Sequence, residues 1–209
     1  MHSLNSILAR LLEQIAGYNT TLRKTVQPYI LARIQKEFPK YQLNFDDEIV
    51  RETLAEHVGS LPIIAAYLHP YLSEKVDLGK VLIMLSIHDI GELKTGDVLT
   101  FVKPIEETEE EKLAAFELLH PSYHSLYEEM ELGEINEAKF AKAIDKIAPD
   151  LLDIICGRTF TETRLMAQAK WQREDVIDKI QAKKRPFMTW STFMTEFHDL
   201  VIQNLRDSN

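Results

Sequence analysis

Apolar side chains recur along this chain at intervals of three and four residues, and no stretch shows convincing two-residue alternation. That pattern predicts helices and no sheet. The predicted helices run near 3–16, 21–38, 47–68, 77–89, 105–119, 121–131, 136–154, 164–182 and 189–205. Breaks fall at Phe38-Pro39, His69-Pro70, Gly91 to Pro104, His120-Pro121, Leu132-Gly133 and Arg185-Pro186, where proline or glycine interrupts helical backbone. The helix after Pro104 is the plainest case: Glu106, Glu107 and Glu109 to Glu111 crowd its first turns and LAAFELL follows. Acids there complement the positive end of the helix dipole, so this cluster is expected to be helix chemistry rather than a metal site. With no repeat and no low-complexity linker, the chain is expected to be one all-α domain.

Composition narrows the class. At 209 residues, with 45% hydrophobic and 27% charged side chains, the chain can bury a sizeable core. No apolar run approaches the ~20 residues that span a bilayer, so no membrane partner is expected. The first segment, MHSLNSILARLLEQIAG, is amphipathic and carries Glu13, which is unlike a signal peptide. Cys156 is the single cysteine; it is expected to pack as a small apolar side chain, and a cytoplasmic location fits. The net charge of −9 argues against a nucleic-acid polymer as partner, because such binding runs on Lys and Arg. It leaves small phosphorylated ligands open, since a metal and a few basic groups can reverse the potential inside a cleft.

The chemistry concentrates at His88-Asp89. The apolar run VLIMLSI ends there, so two metal-binding side chains emerge where a buried helix meets a cavity. A neutral imidazole beside a carboxylate suits one divalent ion such as Mn, Co, Fe, Ni, Zn or Mg. His57 lies 31 positions before His88, in RETLAEHVGSL, and Asp145 lies 56 after Asp89, in AKFAKAIDKIA. Two imidazoles and two carboxylates neutralise a 2+ ion and leave positions for water and a phosphate oxygen. The absence of thiolates argues against a closed structural zinc site.

His57, His88-Asp89 and Asp145 together resemble the H…HD…D signature of the HD-domain metal-dependent phosphohydrolases. HDIGELKTGD and NEAKFAKAIDKI are similar to two longer motifs of the branch holding the bacterial 5′-deoxynucleotidases and their eukaryotic relatives. The resemblance covers roughly residues 50 to 150. It implies a helical HD-domain fold with the motifs in a core at about 47–155, flanked by added helices at 1–45 and 160–209. It also implies a phosphomonoesterase acting on nucleoside 5′-monophosphates or similar small phosphate esters. His57, His88, Asp89 and Asp145 would then be metal ligands. Glu92 and Asp97 would be catalytic acids that act on the attacking water and the leaving oxygen, or fix sugar and phosphate. Glu92, three residues after Asp89, can face the same side of a helix, and Asp97 follows the Thr95-Gly96 turn.

Phosphate-binding candidates are Lys94 within the motif loop, Arg51 and Arg33. The deoxynucleotidases place an Arg fifteen positions before the first signature His, where this chain has Gln42. Two other readings stand beside this one. A cyclic-dinucleotide or alarmone hydrolase would keep the metal, but such enzymes carry a distal GYP or a paired Glu-Asp after HD, and Gly91-Glu92 stands here instead. A metal-stabilised scaffold without catalysis would need the ligands but not Glu92 and Asp97.

The other histidines have bland readings. His120 and His124 are expected at the surface or at helix ends, His69 precedes Pro70 at a helix end, and His2 is terminal. His198-Asp199 imitates the HD dipeptide without the rest of the motif, so packing or exposure is expected. Trp171, Phe187, Trp190, Phe193 and Phe197 recur at helical spacing and are expected in the core or on the surface of a homodimer.

Overall fold

The structure, a computed structural model, describes residues 3–20, 54–96, 105–156 and 172–207. Among these residues every regular element is helical. In chain order they are α1 (Leu4–Thr20), α2 (Leu54–Leu68), α3 (Leu78–Ile87), the short α4 (Glu92–Thr95), α5 (Ile105–Leu118), α6 (His124–Leu132), α7 (Asn136–Cys156), α8 (Arg173–Lys184) and α9 (Thr192–Asp207). Single 3-10 turns at His69–Tyr71, Pro121–Tyr123 and Arg185–Phe187 join successive helices. Each holds proline in its first turn, where the missing N–H costs no intrahelical bond. The predicted helix at 21–38, the start of that at 47–68 and most of the first half of that at 164–182 lie outside the described residues.

The fold is organised around α7. Ala138, Phe140, Ala141, Ile144, Ile147, Ala148 and Leu151 are buried, and α1, α2, α3, α6 and α9 all pack against this helix. The alanines let neighbouring backbones approach, while Phe140, Ile144 and Leu151 fill the space between. Full burial of each large side chain contributes roughly 1.5–3 kcal/mol. Leu61, Ile64 and Leu68 of α2, and Val81, Met84 and Leu85 of α3, complete this core.

Phe187, Trp190, Phe193 and Phe197 belong to it as well, while Trp171 lies outside the described residues. Phe193 of α9 stacks between Tyr71 and Phe197 at ring distances of 5.6 and 5.7 Å, and Trp190 meets Phe140 edge-on. A smaller cluster of Val176, Ile177 and Ile180 on α8 with Ile202 and Leu205 on α9 fastens the last two helices together.

Around the corner after α3 the boundaries differ from the periodicity. The helix expected to reach residue 89 ends at Ile87, with His88 as its C-cap. The amides of Ile90, Glu92 and Leu93 then bond three residues back, to Ile87, Asp89 and Ile90, so the backbone tightens through this corner. The break expected from Gly91 onward accordingly contains α4. The corner rests on a separate apolar cluster in which Ala115, Leu119 and Tyr127 carry Ile87, Ile90 and Phe116.

Candidate metal centre

Three helices deliver the predicted ligands to one place. His57 comes from α2, Asp145 from α7, and His88-Asp89 from the corner after α3, and their ligand atoms all lie within 4.8 Å of one another. His57 Nε2 is 3.3 Å from Asp145 Oδ1 and 3.6 Å from Asp89 Oδ2. His88 Nε2 is 2.9 Å from Asp89 Oδ2 and 3.5 Å from Asp145 Oδ1. His88 Nδ1 lies 2.9 Å from the Leu85 carbonyl oxygen. A carbonyl oxygen can only accept, so Nδ1 carries a hydrogen and Nε2 faces the cluster, where it offers a lone pair when the ring is neutral. This arrangement orients a metal-binding histidine.

That Nε2 atom is buried and makes no well-aligned hydrogen bond, although a carboxylate oxygen is close. An acceptor of this kind, converging with a second imidazole and two carboxylates, fits a divalent transition metal by its donor chemistry. Electrostatics tell the same story from the proton's side. Burial alone would lower His88, yet Asp145 and Asp89 together push it up to about 10. Burial would raise Asp145, but Lys146, His57 and His88 hold it well below the usual carboxylate range. The two carboxylates thus create a strong demand for positive charge at one point.

Glu92 opens α4 and stands with Asp89 and Glu111 in a second group whose carboxylate oxygens lie within 4.8 Å of one another. Glu111 was not singled out from the sequence, where it looked like one acid among several at the start of α5. It differs from exposed Glu109 and Glu110 in being half-buried. The signal lay in the spacing: Glu111 precedes buried Ala114 and Ala115 by three and four residues, so it continues the inward face of α5. Gly91 makes the approach possible. A Cβ built there would fall 2.2 Å from the Glu111 carbonyl oxygen, so only glycine lets the corner and α5 meet this closely. Beneath them, buried Tyr127 has its phenol pushed up, first by burial and then by Glu131, Glu111, Asp89 and Glu92.

Lys146 is the other residue that the sequence reading passed over. Its Nζ sits 2.7 Å from Asp145 Oδ2. Burial opposes the ammonium charge, but Asp145 more than offsets this and raises Lys146. Lys94, expected at the phosphate, instead gives its ammonium to Glu117 of α5 in an exposed ion pair. Asp97, Arg51, Arg33 and Gln42 lie outside the described residues, and so does the side chain of Cys156.

The remaining histidines among the described residues have structural places, and His2 lies outside them. The His120 side chain accepts from the Ser122 amide and caps the turn at Pro121–Tyr123. His124 packs edge-on against Phe116, His69 Nε2 lies 3.0 Å from the Val76 carbonyl oxygen, and His198 is fully buried.

Residues 40–184 match the family profile described as HD domain, and the chain belongs to that family. Among solved structures it is similar to one described as a predicted metal-dependent phosphohydrolase from Magnetospirillum magnetotacticum MS-1. The two share 25% sequence identity and a TM-score of 0.55 over 98% of this chain and 97% of that one. No curated protein matches the sequence.

Proposed function

We propose that this protein is a metal-dependent phosphohydrolase that releases phosphate from a nucleoside 5′-monophosphate or a similar small phosphate ester. The observation that carries the reading is the convergence of His57, His88, Asp89 and Asp145 on one point, with Glu92 and Glu111 flanking Asp89. The description of the Magnetospirillum relative as a metal-dependent phosphohydrolase supports the reaction class. The resemblance of HDIGELKTGD and NEAKFAKAIDKI to the 5′-deoxynucleotidase branch supports the substrate class.

In this reading a divalent ion supplies Lewis acidity, acidifying a water molecule and polarising a phosphoryl oxygen. His57 and His88 offer it neutral imidazoles; Asp89 and Asp145 balance its charge. Glu92 handles the proton. Hydrolysis adds water across a P–O ester bond, so one proton must leave the attacking water and one must reach the departing alkoxide. A carboxylate with another carboxylate close by is suited to hold such a proton. Glu111 supplies that neighbour, and Asp97 is assigned to the leaving 5′-oxygen or the sugar. We also take residues 1–209 as one domain and leave a homodimer as its expected assembly, with the small phosphate ester as its expected partner.

The deciding experiment is a phosphate-release screen against a nucleotide panel with Mn, Co, Mg, Zn or chelator. Metal-dependent release from at least one nucleoside 5′-monophosphate is expected. Cleavage of a dinucleotide or alarmone alone would overturn the substrate class. Inactivity toward every phosphate ester in protein that retains its metal would leave the non-catalytic scaffold.

A further inference from the structure

The two ligand carboxylates stand in opposite surroundings. Asp89 has Glu92 and Glu111 beside it, whereas Asp145 has the ammonium of Lys146. Asp145 also divides its oxygens between two tasks. Oδ1 faces His57 and His88 at 3.3 and 3.5 Å, while Oδ2 faces Lys146 at 2.7 Å. A carboxylate oxygen held by an ammonium at that distance is a charge-assisted hydrogen-bond acceptor. It is a poorer donor to a second cation, so Asp145 would bind an ion through Oδ1 alone.

Other lysines on this side have different engagements. Lys142, one turn earlier on α7, donates to the Glu131 carbonyl oxygen at 2.6 Å. Lys94 is paired with Glu117. Lys146 keeps a partly open side chain, 29% exposed. An ammonium has three donor directions, so one that holds Asp145 can still meet an incoming anion.

We propose that Lys146 is a positioning residue of the centre, restricting Asp145 to one oxygen and drawing the phosphate group of the substrate to the Asp145 side. The proton-handling carboxylates are left on the Asp89 side, where like charges would repel that group. This inference rests on the metal centre proposed above and adds a polarity to it: phosphate toward α7, proton transfer toward α4 and α5.

The test uses the full chain, metal-free protein titrated with Co2+, and inorganic phosphate as the anion. In Lys146→Met, Co2+ is expected to bind as tightly as in wild type or more tightly. Its d–d absorption should weaken as Asp145 offers a second oxygen and the coordination number rises. Phosphate affinity of the Co2+ form should fall about tenfold or more, as for loss of a charge-assisted hydrogen bond. Lys146→Gln, which keeps a donor without the charge, should lose phosphate affinity likewise. Lys146→Arg should restore most of it, and circular dichroism should show all three folded.

Phosphate affinity within twofold of wild type in both Lys146→Met and Lys146→Gln, with normal Co2+ uptake, would overturn the role of Lys146 alone. Loss of Co2+ in step with phosphate across all three variants would also overturn it, because Lys146 would then merely assemble the centre. Co2+ uptake by wild type that is unaffected by His88→Ala would overturn the centre itself, and this role with it.

Discussion

Two His-Asp dipeptides in this chain, each with a buried histidine, have opposite characters. His88 stands at the end of α3 facing the carboxylates of Asp89 and Asp145, which raise it to about 10 against the cost of burial. His198 stands inside α9, fully buried, with both ring nitrogens lacking a hydrogen-bond partner. Burial lowers it to about 4, and the cations of Lys184 and Arg185 add to the effect. The difference is one of backbone. Within a continuing helix, neighbouring side chains point about 100° apart. His198 therefore turns into the core while Asp199 turns outward to pair with Arg185. At His88 the helix stops and the tightened corner brings both side chains to one centre, where His88 Nε2 and Asp89 Oδ2 are 2.9 Å apart. The same two residues form a site only where a helix ends against other helices that supply complementary groups.

The strongest way to break this contrast is metal content. His88→Ala or Asp145→Ala should take dialysed protein from about one equivalent of divalent metal to near none, because each removes a ligand and leaves its partners unbalanced. His198→Leu should keep the wild-type content. Elemental analysis that finds all three alike would erase the distinction.

Turnover sharpens it next. Glu92→Ala should retain the metal and the fold yet lose on the order of 10²-fold in rate, the usual scale of general acid–base assistance. Steady-state kinetics beside metal analysis would separate this from ligand loss. An unchanged rate would remove Glu92 from the chemistry.

Stability against pH then probes the other histidine. The unfolded chain binds the His198 proton near pH 6.5, and the folded chain only near 4. Its contribution is therefore present above about 6.5 and is lost as pH falls through 4, by up to about 3 kcal/mol. Asp150, raised by burial although Lys184 opposes it, acts in the opposite direction, so the informative quantity is the difference between wild type and His198→Leu. Urea melts across pH 4–7 should show that the variant loses less stability on acidification. Parallel curves would mean that His198 is not held neutral by the fold. The smallest effect belongs to the surface partner: Asp199→Ala should shift stability by less than about 1 kcal/mol, in the same melts, with no change in metal content.

Gly91 belongs to the His88 corner. Gly91→Ala should displace the corner from α5, since the new Cβ meets the Glu111 carbonyl oxygen. A loss of about 1–3 kcal/mol is expected from such overpacking, together with weakened activity, both readable from melts and kinetics. A neutral substitution would show that the close approach of Glu111 does not depend on glycine.

Much of this could be deduced from sequence because it rests on local pattern. The three- and four-residue spacing of apolar side chains determined the helices, and proline and glycine marked their breaks, since both act within one turn of backbone. His57, His88-Asp89 and Asp145 could be singled out because polar side chains at the ends and polar breaks of apolar helical faces stand out against their surroundings. Tertiary structure decided the rest. Glu111 joins Asp89 and Glu92 because α5 crosses the corner at Gly91, a contact between segments separated by about twenty residues of chain. Lys94, placed at the phosphate by sequence proximity, is drawn to Glu117 on a facing helix, and Lys146 settles on Asp145. A long, charged side chain takes its partner from whatever packing brings within a few ångströms. Local sequence sets where such a chain begins, and the assembled helices set where its charge comes to rest.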